Sequence, residues 1–323
     1  MKTVILIPCY NEAKTIQKVV EDFQKEMPQA KIYVYDNNSN DGTDQIAREA
    51  GAIVRYEYRQ GKGNVVRSMF RDIDADCYIM ADGDDTYPAS FGPVLEQLVL
   101  SGKADLAVGD RLSSTYFVEN KRPFHNIGNV LVRKLINGLF RAKLNDIMTG
   151  ARGFSRDFVK TYPVISKGFE IETEMTIFAL DNNFKIVEVP IEYRDRPEGS
   201  ESKLNTYSDG LKVLKTIATL FRDTRPFSFF GVISLLIMAL GVGFFIPVFQ
   251  DFLQTGMVEK FPTLIVISAV FIAGLLFFFC GIVLSVLKKQ DRQNFERYLN
   301  ILRYAVIDRD DTVHSEEKEK SEL

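Results

Sequence analysis

Along the first part of the chain, short apolar runs alternate with stretches of helical period. Residues 3–8, 31–36, 52–55, 77–81 and 106–109 are rich in Val, Ile and Tyr and read as strands. Between them, 14–23, 44–50, 63–73 and 93–100 place apolar side chains at helical spacing. Strands alternating with helices predict right-handed βαβ units, hence an α/β domain with a mostly parallel sheet. Ligands of such sheets bind beyond the carboxyl ends of the strands. Three polar clusters fall at those ends: Cys9-Tyr-Asn-Glu12, Asp36-Asn-Asn-Ser-Asn-Asp-Gly-Thr43 and Asp82-Gly-Asp-Asp-Thr86. One cluster is ordinary turn chemistry; three on one rim read as a site.

The pattern changes further on. Residues 226–250 and 261–287 contain no charged side chain. A charge-free apolar run of about 20 residues is what a bilayer core demands of a spanning helix. Lys212, Lys215, Arg222 and Arg225 precede the first run, and Lys288, Lys289, Arg292 and Arg297 follow the second. The positive-inside rule then places both termini in the cytoplasm and the connection 251–260 outside. Residues 207–221 carry Leu211, Leu214, Ile217 or Ala218, and Phe221 at helical spacing, with Lys212 and Lys215 off that face, as in a helix lying on a membrane surface. Residues 294–303 repeat the pattern, and 308–323 are charged and expected to be disordered. The expected organisation is a cytoplasmic catalytic domain over 1–205 and an interface helix over 206–225. A membrane hairpin over 226–287 follows, then a cytoplasmic helix and charged tail over 288–323. The location implied is the plasma (inner) membrane.

Composition narrows the chemistry. A net charge of −3 gives no basic excess for nucleic acid. Cys9, Cys77 and Cys280 are scattered and odd in number, which suggests a reduced compartment and no metal-binding spacing. With only His125 and His314, a histidine-based metal site or catalytic triad is excluded. Residues 3–7 are too short an apolar run for a signal-peptide core. In Asp82-Gly-Asp84, two carboxylates one residue apart follow an apolar strand, and the glycine allows close approach. Mg²⁺ or Mn²⁺ takes such oxygens and shares its shell with substrate phosphates.

Pro8-Cys-Tyr-Asn-Glu12, Asp36 with Ser39-Asn-Asp-Gly-Thr43, Gly61-Lys-Gly63 and Asp82-Gly-Asp84, in this order, resemble family 2 glycosyltransferases of the GT-A fold. The two apolar runs make the chain similar to the polyprenyl-phosphate glycosyltransferases within that family. The resemblance implies that Pro8, Tyr10, Asn11, Glu12 and Asp36 hold the base and ribose of a nucleotide sugar, with Lys62 at base or phosphates. It implies that Asp82 and Asp84, flanking Gly83, ligate the metal, with Thr86 or Asp85 as candidate third ligand. Arg111 matches a position near the donor, and Asp146 a segment beside the sugar. Asn129, Arg133 and Asn137 resemble the helix that receives the acceptor phosphate, and Glu170 and Glu172 a run that orders the loop above the site. Arg194, Arg196, Gly199, Ser202 and Lys203 resemble a segment whose cations clamp the phosphates.

The activity implied is inverting transfer of one sugar from a nucleotide diphosphate, UDP ahead of GDP, to a polyprenyl monophosphate. Asp82-Gly-Asp-Asp-Thr-Tyr-Pro88 departs from the mannose-synthase pattern and looks more like family members that use UDP-glucose or UDP-N-acetylglucosamine. An ionised phosphate acceptor needs no histidine base, in keeping with the composition. Such relatives also form homo-oligomers. A processive polysaccharide synthase shares the fold, but its usual Gln-x-x-Arg-Trp sequence cannot occur in a chain with no tryptophan. A non-catalytic scaffold would have little use for so costly a cluster of like charges.

Overall fold

The computed structural model describes residues 1–113, 123–194 and 206–321; side chains are described for all of these except 123–129, 206–210 and 306–321. The chain divides into two units, Met1–Ile217 and Ala218–Leu323.

The first unit is built on a seven-stranded sheet in the order β3-β2-β1-β4-β6-β5-β7. Its strands are β1 (Thr3–Cys9), β2 (Lys31–Asp36), β3 (Ile53–Tyr56), β4 (Cys77–Met80), β5 (Leu106–Asp110), β6 (Arg152–Ser155) and β7 (Ile186–Pro190). β1 pairs in parallel with β2 and β4, β2 with β3, and β5 with β7. β6 runs antiparallel to both β4 and β5. The helices are α1 (Ile16–Glu26), α2 (Thr43–Glu49), α3 (Lys62–Asp72), α4 (Phe91–Leu100), α5 (Pro123–Phe140), α6 (Arg156–Thr161) and α7 (Ile171–Asp181).

The five strands expected from periodicity are present, each within a residue of its predicted ends. β6 and β7 are additional: β6, Arg-Gly-Phe-Ser, is no apolar run, and β7 is interrupted by Glu188 and ends in Pro190. Central β1 is buried on both faces, which is why it reads as a continuous apolar run. Ile5, Ile7 and Cys9 join Ile32, Val34 and Ile79 under α1, which contributes Ile16, Val19, Val20 and Phe23 from one stripe. The aromatic residues Phe70, Phe154, Phe158, Tyr162 and Phe178 form a second cluster, with Phe70–Phe154 and Phe154–Phe158 centroids both 5.3 Å apart. Two apolar layers clamp the sheet, so its strand ends form a fixed rim.

α8 (Thr206–Thr224) follows the first unit's sheet; Val213 and Ile217 are its buried positions, while Leu211 is exposed. The second unit holds α9 (Pro226–Thr255) and α10 (Phe261–Ser321). Pro226 begins α9 where its missing N–H costs nothing, and Gly256 ends it at φ 69°. Both helices are long and apolar enough to cross a membrane, and their most apolar windows are only 17% and 11% buried. Core helices of soluble proteins are mostly buried, so this pair suggests membrane association instead. Small residues draw the two helices together: Ser234 Oγ donates to the Gly274 carbonyl at 2.7 Å, and a Cβ on Gly274 would lie 2.8 Å from Met238 Cγ.

α10 continues as helix to Ser321, and from Ile282 to that residue the sequence has no Gly or Pro to interrupt it.

Candidate active site

The ends of β1 and β2 interlock. Asn11 adopts φ 55°, a conformation asparagine tolerates, and this turns the chain across β2. Its N–H donates to Ser39 Oγ at 2.9 Å, and its Oδ1 accepts from Asn40 N–H at 2.9 Å. Glu12 N–H donates to Thr43 Oγ1 at 2.8 Å. Buried Asp36 accepts the Ser39 N–H on both carboxylate oxygens at 3.0 Å. Pro8, half-buried near the end of β1, and Tyr10, 38% exposed, complete the group expected to hold base and ribose. Two of the three polar clusters are thus one rigid surface.

The third cluster joins them through Gly83. A Cβ there would lie 2.7 Å from Cys9 Sγ, so only glycine lets the turn after β4 approach β1 this closely. Thr15 Oγ1 donates to the Gly83 carbonyl at 2.6 Å. Asp84 is buried and accepts from Thr86, hydroxyl at 2.6 Å and N–H at 3.2 Å. Thr86 therefore orients Asp84. Asp85, at φ 57°, pairs with Lys18 Nζ at 2.7 Å, with Arg194 Nη1 at 4.0 Å.

Lys62 lies against the acidic turn. Its ammonium is 2.5 Å from Asp82 Oδ1 and 2.7 Å from Glu172 Oε1. Burial alone would lower its pKa, but the Asp82 and Glu172 carboxylates outweigh this and raise it well above the usual lysine value. Lys62, expected at base or phosphates, links Asp82 to Glu172 on α7 in this structure. Gly61 and Gly63 make this possible, since a Cβ on either would collide with the Lys167 or Ser166 carbonyl. Gly63 N–H donates to the Lys167 carbonyl at 3.0 Å. Glu174 holds that loop by accepting from Ile165 N–H at 3.0 Å and Ser166 N–H at 2.7 Å. Asn37, unnoticed in the sequence, holds the other side: its Nδ2 donates to the Glu57 and Arg59 carbonyls, and its Oδ1 accepts Gly61 N–H at 2.7 Å.

Arg111 and Asp146 form a second, buried constellation. Arg111 Nε donates to Asp146 Oδ2 at 2.7 Å, and Arg111 Nη2 to Oδ1 at 3.3 Å and to the Met148 carbonyl at 2.8 Å. Asp146 is thus a partner of Arg111. Glu188 on β7 accepts the Asp146 N–H at 2.9 Å, and burial raises its pKa. Tyr87 connects the two groups, accepting from Gly150 N–H at 3.2 Å, while Gly150 lies so close to the Asp82 carboxylate that a Cβ would overlap it. Arg152, fully buried, donates to the Thr149 and Ile147 carbonyls and to Thr176 Oγ1, and burial lowers its pKa. No local motif marks Arg152 or Glu188; the pairing of β6 with β4 and β5, and of β7 with β5, brings them to this rim.

Arg133 is half-buried on α5. Asn137 Nδ2 donates to the Leu144 carbonyl at 2.8 Å and its Oδ1 accepts Leu144 N–H at 3.0 Å. Arg196, Gly199, Ser202 and Lys203 lie outside the described residues, as does the side chain of Asn129. Among the described residues no group of three His, Cys, Asp or Glu side chains stands ready for a metal. The donor set of Asp82 and Asp84 fits a hard cation that takes only two protein oxygens and fills its shell from diphosphate and water.

Solved structures share this architecture. Glucosyl-3-phosphoglycerate synthase from Mycobacterium tuberculosis, solved with Mn²⁺, UDP-glucose and phosphoglyceric acid, superimposes with TM-score 0.57 at 20% identity, over 68% of this chain and 79% of that one. The fold is GT-A. The Glycosyl transferase family 2 profile matches residues 4–162. Glycosyltransferase AglJ of Haloferax volcanii is 31% identical over 84% of this chain and 88% of its own length. The dolichyl-phosphate hexose transferase of the same organism is 28% identical over 68% of this chain and 94% of its own length. The chain belongs to glycosyltransferase family 2.

Proposed function

We propose that the protein transfers one hexose from a nucleoside diphosphate sugar, UDP-glucose or UDP-N-acetylglucosamine ahead of GDP-mannose, to a polyprenyl monophosphate. The observation that carries this reading is an interlocked acidic rim on a chain that also has two apolar, largely exposed helices. The name of the dolichyl-phosphate hexose transferase supports the lipid acceptor, and the UDP-glucose bound by the mycobacterial synthase supports the donor.

Asp82 and Asp84 would hold Mg²⁺ or Mn²⁺, which supplies charge compensation for the leaving diphosphate. Asp36, Asn11, Glu12 and Tyr10 line the interlocked rim where base and ribose would sit. Arg111 holds Asp146 in one geometry beside the acidic turn, fixing the wall against which the sugar would lie. Arg133, Arg196 and Lys203 are assigned to the acceptor and diphosphate phosphates. Since the acceptor is already ionised, the side chains' task is in-line positioning, and a single displacement inverts the anomeric centre. The orientation proposed is catalytic domain and both termini in the cytoplasm.

The test is incubation of membranes containing the protein with Mg²⁺, polyprenyl phosphate and labelled UDP-glucose, UDP-N-acetylglucosamine or GDP-mannose. Label from one UDP-sugar should enter the lipid phase, and Asp84→Asn should abolish this while membrane insertion persists. Undiminished transfer by that variant contradicts the assignment of Asp84.

A further inference from the structure

We propose that Lys62 is a resident cation that keeps Asp82 closed to a free divalent ion and releases it when a nucleoside diphosphate brings the ion in. This rests on the metal-dependent reading above and adds an order of binding to it.

The Lys62 ammonium is 2.5 Å from Asp82 Oδ1, so it holds one of that carboxylate's two oxygens and offsets the charge that would attract a metal. It is not a swinging surface group. The side chain is 9% exposed, Glu172 grips it from α7 at 2.7 Å, and Glu172 itself is 7% exposed. The backbone is equally constrained, because Gly61 and Gly63 lie against the Lys167 and Ser166 carbonyls. A divalent ion arriving alone must compete for the Asp82 oxygen and sit beside a fixed positive charge in a shielded place, where like charges repel strongly. A diphosphate carries enough negative charge to offset both. The ammonium then yields Asp82 Oδ1 to the ion and stays held by Glu172, and metal and donor enter together.

Free Mn²⁺ measured by electron paramagnetic resonance, on the purified full-length chain with and without UDP, tests this. The wild type should bind Mn²⁺ weakly alone and at least tenfold more tightly with UDP. Lys62→Met should strengthen UDP-free binding by about tenfold, narrowing the gap. That variant leaves Glu172 buried without its cation and is prone to misfold. Lys62→Met combined with Glu172→Gln removes both charges and is the deciding protein. Unchanged or weaker UDP-free Mn²⁺ binding by the double variant, with Mn²⁺–UDP binding intact, overturns the proposal and leaves the metal-dependent reading standing. No Mn²⁺ binding by the wild type even with UDP overturns both.

Discussion

Glu57, one residue beyond β3, is buried and grips Arg59: its Oε1 accepts Nε at 2.9 Å and its Oε2 accepts Nη2 at 3.0 Å, with the Ser68 hydroxyl also donating to Oε2. The Arg59 hydrogen bond outweighs burial, and with Ser68 it lowers the Glu57 pKa from 4.5 to about 2. A carboxylate depressed on folding adds stability above its unfolded value, and that stability is lost as pH falls toward the folded one. Glu57→Gln should therefore unfold more easily than wild type at pH 7, with the difference shrinking between pH 4.5 and about 2. Thermal unfolding in detergent at several pH values measures this, and a difference independent of pH would contradict it. The residue matters to the site because Asn37, bonded to the Glu57 carbonyl, also seats Gly61 ahead of Lys62. The acidic pair and Lys62 could be picked out from the sequence by residue type and spacing. Asn37 and Arg152 could not: Asn37 acts through carbonyls 20 and 22 residues on, and Arg152 ties two nearby carbonyls to Thr176, 24 residues away.

Among elements, the loop between α6 and α7 and the start of α3 are the decisive pair. Gly61-Lys-Gly63 reads in sequence as a family-like motif, and in the fold it is a close approach of two backbones. Gly63→Ala would drive a Cβ into the Ser166 carbonyl. The expected result is a loss of roughly 1–3 kcal/mol, as for other overpacked sites, read by denaturation. Gly102→Ala, with nothing within 4 Å of its Cβ but φ 68°, isolates the backbone cost and should lose less. Equal losses would mean that the Ser166 contact is not limiting. The strands β1 to β5 were legible because each is an apolar run bounded by polar turns; β6 and β7 were not, since pairing with β4 and β5, more than pattern, makes them strands.

For the molecule as a whole, the two units and their charge distribution set the prediction. Lys212, Lys215, Arg222 and Arg225 precede α9, and Lys288, Lys289, Arg292 and Arg297 follow the apolar part of α10. The connection around Gly256 should then face away from the cytoplasm. Thr255→Cys, made in a chain lacking Cys280, should react in intact cells with a membrane-impermeant thiol reagent. A cysteine replacing Ser315 should react only after the membrane is opened. The reverse pattern would invert the orientation proposed here.

By itself the sequence determined the alternating core, the apolar hairpin and the carboxylate pair at a strand end, because burial, the length of an uncharged run and the turn after a strand each leave a local imprint on residue choice. Tertiary structure alone decided which charges meet. Lys62 lies 20 residues from Asp82, and Arg111 lies 35 from Asp146. Whether such side chains face substrate or one another depends on strand order, which no short-range pattern records.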